Sequence, residues 1–128
     1  MAKRVMVVDD DVNIRTALKL RLERDSLVVD TAEDGEDALR QIAEHRPDLV
    51  VLDLLLPRRD GLQVLARLRS DRSTAHIPII ILTAYHRPQV DDPDLLSSST
   101  EVICKPFSPR YLTQRIHSIL EAASRSDG

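Results

Sequence analysis

Short apolar runs that each stop at a polar residue constrain the fold of this chain more than any other feature. The runs cover residues 5–8, 49–52, 77–82 and 102–104, with a weaker fifth candidate at 27–29. They are continuous rather than alternating, which is typical of strands that are buried on both faces. The pattern therefore predicts a parallel sheet covered by helices.

Helical periodicity lies between these runs. Apolar residues recur at helical spacing over 14–22, 38–43, 62–68 and 112–123. Asp11 is the predicted N-cap of the first helix, and Ser108 that of the last helix, with Pro109 at its first position. Alternating strands and helices indicate the α/β class with a parallel sheet.

One segment departs from this alternation. The fourth helix should lie between Thr83 and Lys105, but Pro88 and Pro93 fall there, followed by the polar run 97–100. Proline starts, breaks or kinks a helix. The sequence therefore predicts a short or irregular helix at about residues 90–96.

Length and composition limit the remaining possibilities. The 128 residues suit one domain, which we place at 1–123, with 124–128 as a polar C-terminal tail or the start of a linker. A net charge of −3 and an aromatic content of 2% argue against a nucleic-acid binder. No apolar run approaches the ~20 residues that span a bilayer. The single cysteine, Cys104, fits a cytoplasmic protein.

The polar residues that end the runs have a common position in the predicted fold. In an open α/β sheet, ligands bind beyond the carboxyl ends of the strands. The acids there are Asp9, Asp10 and Asp53, and such hard oxygen ligands suit Mg²⁺. A carboxylate in this setting is also a candidate nucleophile for a phosphoryl group. Lys105 and Thr83 would contact the added oxygens.

Four segments resemble the receiver domain of bacterial two-component response regulators. They are Val7-Val8-Asp9-Asp10-Asp11, residues 52–61, Ile81-Leu82-Thr83-Ala84 and Lys105-Pro106-Phe107. The resemblance covers residues 3 to about 122. It implies a three-layer αβα, flavodoxin-like fold whose doubly wound, five-stranded parallel sheet has the order 2-1-3-4-5.

The resemblance also implies a metal site and a phosphoacceptor. Asp53 is similar to the acid that takes a phosphoryl group from a phosphohistidine. Asp10 is similar to a direct Mg²⁺ ligand, and Asp9 to the acid that holds the ion through water. Asp53 and the backbone carbonyl of Leu55 complete the implied ligands.

Three further residues take roles from the same resemblance. Thr83 is similar to the hydroxyl that turns toward the phosphoryl group, and Lys105 to the lysine that pairs with it. The bond before Pro106 is cis in this family. The resemblance therefore implies a signalling domain with self-catalysed phosphotransfer and slow autodephosphorylation, rather than an enzyme.

Partners follow from this interpretation. The donor would be a sensor histidine kinase or a histidine phosphotransfer protein, and the output an unknown downstream protein or effector domain. Direct nucleic-acid or membrane binding is not expected. A homodimer through the predicted helix at 90–96, the fifth strand and the last helix is a further expectation.

Two alternatives remain open. Val102 stands where the family usually has an aromatic residue three positions before the lysine, and valine has no ring to rotate. With the irregular fourth helix, this favours a constitutive interaction module with impaired switching. A Mg²⁺-dependent phosphohydrolase is less favoured, because Leu55 occupies the place of the second acid that such enzymes need.

Overall fold

A computed structural model describes residues 2–54, 61–84 and 101–126. The strands are β1 (Arg4–Val8), β2 (Val28–Ala32), β3 (Leu49–Asp53), β4 (Ile79–Thr83) and β5 (Glu101–Cys104). The helices are α1 (Val12–Arg24), α2 (Gly35–Glu44), α3 (Gly61–Ser70) and α4 (Pro109–Ser126). The helix predicted at 90–96 lies outside the described residues.

All five strands form one parallel sheet in the order β2-β1-β3-β4-β5. This confirms the predicted α/β class and strand order. The order puts β1 beside β3, with Val8 opposite Leu52, and β4 beside β5, with Thr83 opposite Cys104. Their carboxyl ends therefore meet at one edge of the sheet, which positions the candidate site.

The two faces of the sheet pack against different helices. Along β1, Val5 and Val7 lie in the cluster that contains α1 and α4 side chains, whereas Met6 and Val8 lie in the cluster of α2 and α3. Side chains alternate between the two faces along a strand, and residues 5–8 of β1 are buried on both faces. Burial of both faces explains why the runs are continuously apolar.

The helix starts agree with the sequence. Asp11 caps α1 by accepting a hydrogen bond from the amide of Asn13 at 2.8 Å, and Ser108 caps α4 through the amide of Tyr111 at 3.2 Å. Both caps confirm the predictions. Helix α4 continues past residue 123 to Ser126, so part of the predicted polar tail is helical. In the part of the chain that the structure describes, no helix is long and apolar enough to cross a membrane.

Candidate metal and phosphoacceptor site

Three carboxylates meet at the carboxyl edge of the sheet. Asp9 directly follows β1, Asp10 lies in the loop between β1 and α1, and Asp53 ends β3. One oxygen from each lies within 4.8 Å of the others. Asp9 and Asp53 are buried, whereas Asp10 is exposed. The structure thus brings together the three acids that the sequence placed at this edge.

A lysine from the other half of the sheet completes the cluster. Lys105 follows β5, and its Nζ lies 3.1 Å from Asp9 Oδ2 and 2.9 Å from Asp53 Oδ2. The ammonium therefore donates to both buried acids at once. Such charge-assisted hydrogen bonds are among the stronger ones in proteins. Lys105 offsets part of the repulsion between the carboxylates, which still outnumber it.

Asp9 carries the clearest electrostatic signature of the site. Burial raises the pKa of its carboxyl group, and the charge of Asp53 raises it further. The hydrogen bond from the Asp11 amide to Asp9 Oδ1, at 2.9 Å, and the contact with Lys105 oppose this rise without cancelling it. The ionised form of Asp9 is therefore disfavoured in the folded protein and would gain from a cation.

Lys105 shifts in the complementary direction. Burial alone would lower the pKa of its ammonium, but the hydrogen bond and charge of Asp53, together with Asp9, outweigh burial and raise that pKa. The lysine is accordingly held in its charged form. A permanent cation that bridges two acids is suited to bind the oxygens of an added phosphoryl group.

The remaining predicted site residues are placed as follows. Thr83 ends β4 and is buried, and its carbonyl accepts a 2.7 Å hydrogen bond from the amide of Lys105. The Lys105–Pro106 bond is cis, as the resemblance implied. Leu55, whose carbonyl was predicted to bind the metal, lies outside the described residues.

The donor set fits Mg²⁺. The ion prefers oxygen ligands, binds through one or two carboxylates and keeps several waters. Asp9 and Asp53 supply buried oxygens, and Asp10 supplies an exposed one on the side that faces solvent. The unfavourable burial of charge on Asp9 is what a divalent cation would relieve.

Gly61 is a constraint that the sequence did not reveal. Gly61 is the first residue of α3, and its amide donates to the carbonyl of Leu54 at 3.1 Å. A Cβ at this position would lie 2.5 Å from Leu54 Cα and 2.8 Å from its carbonyl oxygen. The glycine therefore lets α3 approach the backbone that follows Asp53. The Asp-Gly pair in the sequence signals a turn but not this approach.

Val102 lies away from the site on β5. The residue is 41% exposed and belongs to the edge strand of the sheet. Nearby, Arg115 of α4 forms an ion pair with Glu101 of β5. Its Nε donates to Oε1 at 2.9 Å and to Oε2 at 3.0 Å, and a second guanidinium nitrogen lies 2.9 Å from Oε1. Tyr85, the aromatic residue nearest to Thr83 in the sequence, lies outside the described residues.

Curated proteins are similar to this chain over most of its length. The chain is 40% identical over 120 residues to the alkaline phosphatase synthesis transcriptional regulatory protein PhoP of Bacillus subtilis, covering 94% of the chain and 49% of that protein. It is 41% identical to the transcriptional regulatory protein AfsQ1 of Streptomyces coelicolor, covering 94% and 52%. The chain spans about half the length of these relatives.

Solved structures share the fold. A CheY-like response regulator receiver domain protein from Methanospirillum hungatei has a TM-score of 0.86 at 26% identity, over 98% of this chain and 99% of that one. The receiver domain of the Francisella response regulator 1452 has a TM-score of 0.82 at 30% identity, over 94% and 98%. The response regulator receiver domain family matches residues 5–117. The chain therefore belongs to the response regulator receiver domains of two-component signalling systems.

Proposed function

We propose that Asp53 accepts a phosphoryl group from a phosphohistidine on a sensor histidine kinase or a histidine phosphotransfer protein. The observation that carries this proposal is the cluster in which Lys105 donates to both Asp9 and Asp53 while Asp10 stands beside them. The site holds a nucleophile, a fixed cation and oxygen ligands within reach of one another. Membership of the receiver family supports the same role.

In the proposed step, a carboxylate oxygen of Asp53 attacks the phosphorus atom. The phosphorus–nitrogen bond breaks, its electron pair returns to the imidazole, and Asp53 becomes an acyl phosphate. Lys105 then pairs with a phosphoryl oxygen, and the hydroxyl of Thr83 turns toward another. Bound Mg²⁺ would neutralise charge on the transferring group. Asp9, Asp10, Asp53 and the carbonyl of Leu55 are the ligands that we propose for it.

We propose that phosphorylation changes binding to a downstream protein or effector domain. The relatives are named as transcriptional regulatory proteins, which supports a transcriptional output. The phosphoryl group would bias Thr83 and the loop after it between two arrangements, and a partner would bind one of them more tightly. We place these events in the cytoplasm, which the free thiol of Cys104 fits. This chain itself is not proposed to bind nucleic acid or membrane.

Incubation with acetyl phosphate and Mg²⁺, followed by intact mass measurement, tests the phosphoacceptor. The wild type should gain the mass of one phosphoryl group, and Asp53→Asn should not. Asp25→Asn, which removes an exposed carboxylate at the end of α1, is the matched control and should gain mass like the wild type. Equal labelling of Asp53→Asn and wild type would refute the assignment.

A constitutive interaction module is the second candidate, favoured by the exposure of Val102 where an aromatic switch residue is expected. Gel filtration with and without beryllofluoride, an analogue of the phosphoryl group, separates the two. Dimerisation, which we propose to involve the predicted helix at 90–96, β5 and α4, or a change in partner affinity, supports the switch. An unchanged oligomeric state and unchanged affinity support the constitutive module.

A further inference from the structure

Asp10 differs from the other two acids in how its carboxylate is held. Lys105 bonds the side chains of Asp9 and Asp53. Among the described residues, no side chain or backbone amide bonds the carboxylate of Asp10, which is exposed. Its position is therefore set by the backbone between Asp9 and Asp10. Whatever orients that peptide unit also orients the exposed oxygen ligand.

Arg15 is the side chain that orients this peptide unit. Its guanidinium reaches back from the first turn of α1 and donates to the carbonyl oxygen of Asp9 at 2.8 Å. The Asp9 amide is fixed at the other side by the carbonyl of Ala32, at 3.1 Å. Because the peptide unit is planar, fixing the Asp9 carbonyl fixes the direction in which the chain leaves toward Asp10.

We infer that Arg15 is a positioning residue for the metal site, acting through the Asp9 carbonyl to place the carboxylate of Asp10. This inference rests on the proposed Mg²⁺-dependent phosphoacceptor function. Arg15 touches neither phosphoryl group nor metal in this role. Its contribution is to hold the exposed ligand in place before the ion arrives, so that binding need not order the loop.

The charge of Arg15 and its positioning role should change the affinity for Mg²⁺ in opposite directions. A guanidinium near the acids repels an incoming cation, so removing it should by itself strengthen Mg²⁺ binding. Loss of positioning should instead weaken binding. Supporting groups around metal ligands typically change affinity about 10–100-fold when removed. We expect the positioning effect to exceed the charge effect.

The experiment measures the Kd for Mg²⁺ from amide chemical shifts in ¹H–¹⁵N NMR spectra recorded during a Mg²⁺ titration. The same spectra show that each variant is folded. Arg15→Met should raise the Kd for Mg²⁺ about tenfold. Arg15→Lys keeps a cationic donor on a shorter side chain and should recover part of the loss. Lys19→Met, which removes an exposed cation from the next turn of α1, should leave Kd unchanged or slightly lower.

A double-mutant cycle links the effect to Asp10. If Arg15 acts by placing Asp10, the weakening of Mg²⁺ binding by Arg15→Met should disappear in an Asp10→Asn background, leaving at most the small gain from removing its charge. An unchanged or tighter Kd in Arg15→Met would overturn the inference, as would an equal loss in Lys19→Met. Absence of saturable Mg²⁺ binding by the wild type would overturn the proposed metal function itself and the role of Arg15 with it.

Discussion

Two regions of the molecule differ in how their side chains are held. One is the carboxyl edge of the sheet at β1 and β3, and the other is the outer surface formed by β5 and α4. At the edge, Asp9 and Asp53 are buried and share Lys105, so each group depends on the others. On the outer surface, Val102 is 41% exposed and Tyr111 is 49% exposed. Interdependent buried charges specify a geometry closely, whereas exposed side chains leave it open. Substitutions should therefore have much larger effects at the edge.

The largest effect is expected for Gly61→Ala. The added methyl group would collide with the backbone of Leu54, which cannot move without displacing the end of β3. Overpacking usually costs about 1–3 kcal/mol, and a collision with backbone belongs at the upper end. Urea denaturation should show this loss, and labelling by acetyl phosphate should slow. A variant within about 0.5 kcal/mol of the wild type would show that α3 can withdraw freely.

Lys105→Met should come next. Removing one partner of a fully buried ion pair costs about 3–5 kcal/mol. The Lys105 side chain keeps 24% exposure, so we expect about 2 kcal/mol at pH 7 in EDTA, measured by urea denaturation. Mg²⁺ should then stabilise the variant more than the wild type, because it replaces the lost cation. Lys19→Met is the control for loss of one charge, and an equal effect there would contradict the bridging role.

Asp9→Asn should increase the free energy of unfolding when no metal is present, whereas Lys105→Met decreases it. The pKa of Asp9 is raised above its unfolded value of 3.8, so the folded protein takes up a proton first as pH falls. The folded state binds more protons within this window, and wild-type stability from Asp9 rises as pH falls from the raised pKa toward 3.8. Asp9→Asn should therefore be more stable than wild type at pH 7, with an advantage that shrinks toward pH 4.

Urea midpoints in EDTA across this pH range test the prediction. Saturating Mg²⁺ should reverse the order at pH 7, because the wild type then gains binding free energy that the variant lacks. A stability difference that does not depend on pH would contradict the burial of charge on Asp9. The ionised carboxylate of Asp9 would then cost the folded protein no free energy relative to the unfolded chain.

The same contrast explains what the sequence could predict. The sequence predicts the strands because each is a continuous apolar run. It predicts the site residues because they directly follow those runs. The strand order comes from the family resemblance. The bridge from Lys105 to both acids depends on three separate chain segments meeting. The close approach at Gly61 and the reach of Arg15 to the Asp9 carbonyl depend on local backbone geometry. Neither leaves a pattern in the sequence.

The smallest effect on stability should come from Val102→Tyr. Val102 is 41% exposed on the edge strand, so a ring there can extend into solvent and should change the free energy of unfolding by less than about 0.5 kcal/mol. Val28→Tyr on β2, the opposite edge strand, is the matched control because Val28 is 38% exposed. Both variants should unfold with midpoints close to that of the wild type.

The functional readout separates these two valines. An aromatic residue at 102 restores the group that the family usually places there, so beryllofluoride should change the oligomeric state or partner affinity of Val102→Tyr more than that of the wild type. Val28→Tyr should respond like the wild type. An equal response in all three proteins would mean that the signal leaves the phosphoacceptor without residue 102. In that case residues other than Val102 would connect the phosphoacceptor site at the carboxyl edge to the change in oligomeric state or partner affinity.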